Sequence, residues 1–187
     1  DVDVYFGGTL FELSVLKDSL DGFIACMKEL GVEYVEVSTG ILSVDHEQKC
    51  SFIEELSDEF TVFSEIGRKN PDNVMPPQEW ISQSKRELEA GAWKVITEGR
   101  ASGETGIYRR DGEVRFGLVD EILGSIDSSD LLFEAPNKEQ QLWFIEKMGP
   151  SVNLGNVAMD EVLALETLRL GLRGDTVRMI HGGKHGN

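Results

Sequence analysis

Glutamates end four successive β-rich runs of this chain, and they are the residues best suited to carry out chemistry. They are Glu36, Glu65, Glu98 and Glu134. Glu12 follows the first β-rich run in a comparable place. Several carboxylates brought together are costly unless cations neutralise them. Because carboxylate oxygens suit a hard divalent cation, the pattern predicts a Mg²⁺ site with the four strand-end glutamates as its candidate ligands.

A purely structural role for these glutamates is the alternative, since strand-end carboxylates also cap helices or pair with nearby cations. Basic residues follow closely in the sequence: Lys69 after Glu65, Arg100 after Glu98 and Lys138 after Glu134. A divalent cation beside a ring of Lys and Arg is suited to a substrate that carries both a phosphate and a carboxylate.

Three short glycine-containing turns are candidate anion sites, because backbone N–H groups after a strand can hold a phosphate or a sulfonate. They lie at residues 7–9, 99–103 and 153–156. In barrels the last loops are favoured for phosphate, which points to the third turn. Ser102, Asn153 and Asn156 are therefore candidate substrate contacts beside Arg100 and Lys69.

The elements that must position these side chains alternate between short β-rich runs and longer runs of helical period. Strands are predicted at residues 2–7, 33–38, 60–65, 93–98, 131–134 and 151–154. Helices are predicted at residues 14–30, 45–56, 77–90, 115–123, 137–148 and 158–172. Asp45 is a candidate N-cap with Gln48 at the reciprocal capping position, and Pro77 suits a first turn.

One helix between each pair of strands predicts an α/β fold with a parallel sheet. A (β/α)8 TIM barrel and an open doubly wound sheet both satisfy the pattern. The barrel is favoured because Glu36 and Ser38 share one side of their strand, whereas a doubly wound sheet is apolar on both faces. A closed barrel needs eight βα units. About six are visible, so residues 1–176 are expected to form a barrel domain that lacks its first two units, followed by a flexible tail at 177–187.

Composition and missing motifs limit the classes of binding partner and the cellular compartment to be expected. The 34 acidic against 18 basic residues give a net charge of −16, which argues against binding nucleic acid. No apolar run is long enough to cross a membrane. Cys26 and Cys50 form no C-x-x-C motif, and no signal peptide is visible, so a cytoplasmic location is expected. Dinucleotide, P-loop and serine-hydrolase motifs are also missing from the sequence.

Seven strings, in order and covering nearly the whole chain, resemble the phosphosulfolactate synthase family. They are GGTLFE (7–12), VEVSTG (35–40), SEIGRK (64–69), EGRASG (98–103), FEAPNKEQQ (133–141), VNLGN (152–156) and LETLRLGLRGDT (165–176). Related plant proteins are associated with heat stress. The strings around EAPNKEQQ and VNLGN are more similar to the prokaryotic branch.

The resemblance implies a (β/α)8 barrel that uses Mg²⁺ to add sulfite to phosphoenolpyruvate, giving phosphosulfolactate on a route to coenzyme M. It implies that Arg100, Lys69 and Lys138 hold the phosphate and carboxylate of phosphoenolpyruvate. A lysine then acts as the general acid, with Lys138 the first candidate and Lys69 the second. Glu98 and Arg100 are expected to be essential for turnover.

Two departures from the family pattern leave alternatives open. The family has a string similar to KFGWGTS before GGTLFE, which this sequence does not contain, and the family's usual ESG reads Ala101-Ser102-Gly103 here. A stress-associated barrel without enzymatic activity is one alternative, and a barrel enzyme for another phosphorylated substrate is a second. A barrel with open sheet edges is also expected to associate into a homo-oligomer.

Overall fold

A computed structural model of the chain describes residues 2–67, 75–99 and 106–182. Within them a six-stranded, wholly parallel sheet has its strands in sequence order. The strands are β1 (Tyr5–Phe6), β2 (Tyr34–Val37), β3 (Thr61–Ile66), β4 (Ala92–Thr97), β5 (Leu131–Glu134) and β6 (Leu154–Gly155). The sheet curls into a half-barrel, which confirms the predicted α/β class and a partial (β/α)8 barrel.

Helices follow the strands and cover the convex face of the sheet. They are α1 (Gly8–Leu16), α2 (Leu20–Glu29), α3 (His46–Ser57), α4 (Pro77–Glu89), α5 (Phe116–Leu123), α6 (Lys138–Met148), α7 (Val162–Arg169) and α8 (Val177–His181). Short 3₁₀ turns lie at Ser128–Asp130 and Met159–Glu161. Among the described residues, no helix is long and apolar enough to cross a membrane.

Alternation along the strands separates an apolar outer face from a polar and aromatic inner face. In β2, Val35 and Val37 are fully buried in a cluster with side chains of α1, α2 and α3. A second cluster joins β4 and β5 to the later helices, with Phe133 stacked on Phe144 of α6 at a ring-centroid distance of 4.5 Å. Burial of these side chains is the main force that holds the helices on the sheet.

The inner face carries an aromatic cluster that lies nearer the amino ends of the strands than the glutamates do. It consists of Tyr5, Tyr34, Phe63 and Trp93, with ring centroids 4.9 to 6.2 Å apart for the pairs in contact. Tyr34 precedes Glu36 by two residues, and Phe63 precedes Glu65 by two. Because side chains two apart share a face of a strand, both glutamates point into the concave side of the sheet.

Two helices differ from their predicted bounds by more than one residue at an end. The helix predicted at residues 14–30 is two helices, because Asp18 adopts a positive φ of 51° and ends α1. Asp tolerates this left-handed conformation better than most residues do. The helix predicted at 158–172 is shorter, since its first turn is 3₁₀ and α7 covers only Val162–Arg169.

The segment predicted as a flexible tail begins with a helix. Helix α8 takes up Val177–His181, and the Thr176 hydroxyl just before it donates to the main-chain oxygen of Leu168 at 2.7 Å. A nitrogen of the His181 ring lies 2.8 Å from the Leu170 oxygen. The last part of the predicted tail, residues 183–187, lies outside the described residues.

The predicted capping box at the start of α3 is present. The Gln48 main-chain N–H donates to Asp45 Oδ1 at 2.8 Å, and the Asp45 main-chain N–H donates to Gln48 Oε1 at 3.2 Å.

We expect Asp45→Ala to lower the free energy of unfolding by about 1 kcal/mol. For a chain of this size that corresponds to a melting temperature lower by about 2–4 °C, measurable by calorimetry. Asp45→Asn, which keeps the acceptor, is the control; an Ala variant as stable as the wild type would contradict the assignment.

Candidate active site

The four strand-end glutamates lie at the carboxyl edge of the sheet, where the loops begin. Glu36 and Glu65 are within β2 and β3, Glu134 is the last residue of β5, and Glu98 directly follows β4. Since all strands are parallel, their carboxyl ends meet at this one edge. The fold therefore places all four glutamates where the sequence predicted them, at the carboxyl ends of the strands.

Three of these carboxylates lie near enough to Tyr5 for their charges to raise the pKa of its hydroxyl. Burial, followed by the charges of Glu36, Glu134 and Glu65, raises the pKa of the Tyr5 hydroxyl to about 12. These glutamates come from β2, β3 and β5, so only the curl of the sheet can bring their charges near one phenol.

Two of the carboxylates accept main-chain hydrogen bonds across neighbouring strands. Glu36 Oε1 accepts the N–H of Gly8 at 2.9 Å, and Glu134 Oε2 accepts the N–H of Gly99 at 2.7 Å. The Tyr108 hydroxyl donates to the main-chain oxygen of Glu134, and burial, with the Glu134 charge second, raises the pKa of this phenol. Both amides belong to turns predicted as anion sites, and in this structure each of them meets a carboxylate of the protein.

Glu98 is held in a closely packed environment of main chain. Its side chain is only 2% exposed. A Cβ on Gly67, which has a φ of +134°, would lie 2.4 Å from the Glu98 Cβ. A Cβ on Gly106, which has a φ of +64°, would lie 1.8 Å from the Glu98 main-chain oxygen. Only glycine at both positions lets β3 and the loop before Tyr108 approach Glu98 this closely.

Glu12 does not occupy a strand end. It lies inside α1 and is buried, with Oε1 accepting the Ser38 hydroxyl at 2.8 Å and the Ile41 N–H at 3.3 Å. The comparison with the strand-end glutamates was therefore wrong, because the helix starts at Gly8, directly after the short strand β1. Its contacts hold the loop after β2 against α1.

The basic residues predicted to bind substrate are only partly described. Lys138 is the first residue of α6, and its ammonium lies 2.8 Å from the carboxylate of Asp175, in the turn between α7 and α8. Both side chains are partly exposed. Lys69, Arg100 and Ser102 lie outside the described residues. Their predicted roles stay predictions.

The two asparagines of the VNLGN string lie next to the last strand. The Asn153 side-chain amide donates to the Leu131 main-chain oxygen at 3.0 Å, which ties β6 to β5. Asn156 is exposed and has a positive φ of 54°, so the chain turns sharply just after β6. The turn lies at the same carboxyl edge as the glutamates, whereas the described contact of Asn153 is structural.

The donor set at the carboxyl edge suits Mg²⁺. Over residues 2–67, 75–99 and 106–182, no three acidic, histidine or cysteine side chains form a compact group that could enclose a metal ion. Mg²⁺ does not require such a group, because it keeps several waters and is commonly bound by one or two carboxylates together with substrate phosphate. Glu65 and Glu98, on β3 and directly after β4, carry carboxylate oxygens of the type that binds Mg²⁺.

A buried ionic cluster on the helix side of the sheet was not predicted from the sequence. Glu87 of α4, with no exposed side-chain surface, receives hydrogen bonds from Lys49 Nζ at 2.8 Å and from the Ser64 hydroxyl at 2.6 Å. His46 Nε2 lies 3.0 Å from the same carboxylate. Burial raises the pKa of Glu87, but Lys49 and the hydrogen bonds from His46, Lys49 and Ser64 outweigh it and keep the pKa below its usual value.

A sequence signal for this cluster existed. Lys49 shares the buried face of α3 with Ile53 and Leu56, and Glu87 shares the buried face of α4 with Trp80. A cation and an anion on the apolar faces of consecutive helices must find partners, because an unpaired buried charge is strongly destabilising. The pairing itself depends on how the two helices lie on the sheet, which the periodicity does not contain.

The shared carboxylate space has a direct test in the titration of Tyr5. Removing one of the charges that raise its pKa must lower that pKa, so Glu36→Gln is expected to shift the Tyr5 titration toward lower pH. The measurement is an NMR pH titration of tyrosine ¹³Cζ, assigned with a Tyr5→Phe variant. Glu33→Gln, which removes an equal charge at the opposite end of β2, is the control. An unchanged Tyr5 pKa in Glu36→Gln would place the two groups in separate spaces.

Comparison with known proteins gives one consistent family. The profile of the (2R)-phospho-3-sulfolactate synthase (ComA) family matches residues 1–175. This match includes all four strand-end glutamates, the glycines around Glu98 and the buried cluster of Lys49 and Glu87.

Three curated relatives carry the name phosphosulfolactate synthase. The protein of Bacillus subtilis is 46% identical over 179 residues, which cover 94% of this chain and 71% of the relative. The protein of Methanothermobacter thermautotrophicus is 40% identical over 185 residues, covering 97% and 72%. The protein of Methanocaldococcus jannaschii is 42% identical over 179 residues, covering 94% and 71%. The chain therefore belongs to the phosphosulfolactate synthase family.

Proposed function

We propose that this chain catalyses the Mg²⁺-dependent addition of sulfite to phosphoenolpyruvate, a carbon–sulfur lyase reaction run in the direction of synthesis. The observation that carries the proposal is the group of strand-end carboxylates at one edge of a curled parallel sheet. Membership of a family of phosphosulfolactate synthases supports the choice of product. Coenzyme M or another sulfonate is the proposed end of the route.

Glu65 and Glu98 are the proposed metal ligands. They lie on β3 and directly after β4, two strands that pair with each other. Glu36 and Glu134, which also receive main-chain N–H groups, stand on either side of them and add negative charge that favours a cation. The ion supplies positive charge that offsets the phosphate and carboxylate of the substrate and the charge that develops during addition.

The reaction balances without any further reagent. The sulfur lone pair of sulfite forms the new bond to C3 of phosphoenolpyruvate, and the electron pair of the double bond moves onto C2 and its carboxylate. A proton delivered to C2 then completes phosphosulfolactate. Arg100 and Lys69 are the proposed partners of the phosphate and the carboxylate.

Lys138 is the proposed proton donor to C2, with Lys69 as the second candidate. Lys138 follows Glu134 by four residues and begins α6 at the carboxyl edge of the sheet. The capping box of Asn137 and Gln140 fixes this first turn, so the start of the Lys138 side chain is well defined. Asp175 lies 2.8 Å from its ammonium and is the proposed partner that orients the side chain.

Calorimetry of phosphoenolpyruvate binding tests the site. We expect binding that requires Mg²⁺ in the wild type and is lost in Glu98→Gln, because the variant removes a ligand charge but keeps the shape of the side chain. Glu55→Gln, which changes an exposed glutamate on the outer side of α3, is the matched control and should bind like the wild type. Binding of equal strength without Mg²⁺ would contradict the proposed metal.

Turnover tests the reaction itself. Sulfite-dependent loss of phosphoenolpyruvate and formation of phosphosulfolactate are followed by ³¹P NMR. Glu98→Gln is expected to lower kcat/KM by roughly 10²–10³-fold, the usual effect of removing one group that stabilises developing charge. Binding without turnover would favour another phosphorylated substrate, and neither binding nor turnover would favour the stress-associated role.

A further inference from the structure

The ammonium of Lys49 joins the buried cluster to the candidate active site. It donates to Glu87 Oε1 at 2.8 Å and to the main-chain oxygen of Glu65 at 2.7 Å. Lys49 is only 4% exposed, so both hydrogen bonds are shielded from water. Lys49 lies on the helix side of the sheet, whereas the Glu65 side chain points to the concave side. The contact thus fixes the backbone of a proposed ligand from behind.

Among the described residues, no N–H of a neighbouring strand donates to the Glu65 carbonyl that Lys49 holds. Successive carbonyls of a strand point toward opposite neighbours. The Ile66 oxygen accepts the Glu98 N–H at 2.8 Å on the side of β4, so the Glu65 oxygen points toward β2. The pairing of β2 with β3 ends at Val37 opposite Ser64, one residue too early to reach it. Lys49 takes the place of the missing strand partner.

Both proposed ligands depend on this short piece of β3. Glu65 belongs to it, and Glu98 is attached to the next residue through the hydrogen bond to Ile66. Gly67 follows at once and packs against Glu98. A shift of the Glu65 peptide would therefore displace the carboxylates of Glu65 and Glu98 at the same time.

A buried ion pair is weak evidence for a role in stability, because apolar residues of similar volume often replace it without loss of stability. Such a replacement would keep α3 packed on α4, but it could not donate to the Glu65 carbonyl. Lys49 is the member of the cluster that hydrogen-bonds both Glu87 and the Glu65 carbonyl.

We propose that Lys49, held by Glu87, is a positioning residue that sets the end of β3 and thereby the spacing of the Glu65 and Glu98 carboxylates. The consequence for turnover rests on the proposed function. The consequence for the backbone does not, so the two can be tested apart.

The test uses the double variant Lys49→Met with Glu87→Gln, which leaves no unpaired buried charge. We expect amide hydrogen exchange at residues 65–67 and at Glu98 to rise by about tenfold or more. We expect kcat to fall by about 10–100-fold, the usual effect of removing a group that orients a metal ligand. Ser64→Ala is the matched control, because it removes one hydrogen bond to Glu87 and leaves the Lys49 contacts in place. It should exchange at these sites and turn over like the wild type.

The outcomes separate the two claims. Exchange at residues 65–67 and Glu98 that matches the Ser64→Ala control overturns the positioning role, whether or not the protein turns over. Raised exchange in the double variant, together with a wild type that shows no turnover, supports the positioning role and contradicts the proposed function. If the double variant does not fold, Lys49→Gln with Glu87→Gln replaces it. Because a glutamine side chain is shorter than that of lysine, residue 49 then no longer reaches the Glu65 carbonyl, and the same rise in amide exchange is expected.

Discussion

Repulsion between like charges is the constraint on which the arrangement of this molecule depends. A parallel sheet that curls brings the carboxyl ends of its strands together, and here four of those ends carry glutamates. Hydrogen bonds from the amides of Gly8 and Gly99 offset part of the repulsion. In the proposed function, a divalent cation and basic side chains offset the rest, and the concentration of negative charge favours binding of that cation.

The outer side of the sheet complements this arrangement. Apolar side chains hold the helices on the sheet. Between them, the buried carboxylate of Glu87 accepts hydrogen bonds from side chains of α3 and β3. Lys49 links this cluster to the backbone of Glu65 by a hydrogen bond to its main-chain oxygen. The helix side of the sheet and the side that carries the strand-end glutamates are therefore connected at β3. This strand also has the most extensive pairing, to β2 and β4.

Much of the fold could be predicted because local signals and tertiary structure agree. The alternation of strands and helices, the α/β class and the capping box of Asp45 and Gln48 all followed from period and capping chemistry. The break at Asp18 was missed, because the apolar period runs through it and only the backbone turn reveals two helices. Glu12 was misplaced since β1 is only two residues long, which puts Glu12 in a helix. The Lys49–Glu87 pair depends on the relative placement of two helices, which no local pattern contains.

The central claim is that Glu65 and Glu98 bind one divalent cation together with phosphoenolpyruvate. A crystal structure with Mn²⁺ in place of Mg²⁺ and with phosphoenolpyruvate tests it most directly, because the anomalous signal of manganese locates the ion without reference to the protein. The account predicts one strong peak about 2.1–2.2 Å from oxygens of both glutamates, with substrate completing the coordination. A peak coordinated by other residues, or phosphoenolpyruvate bound at this edge without a metal, would contradict it.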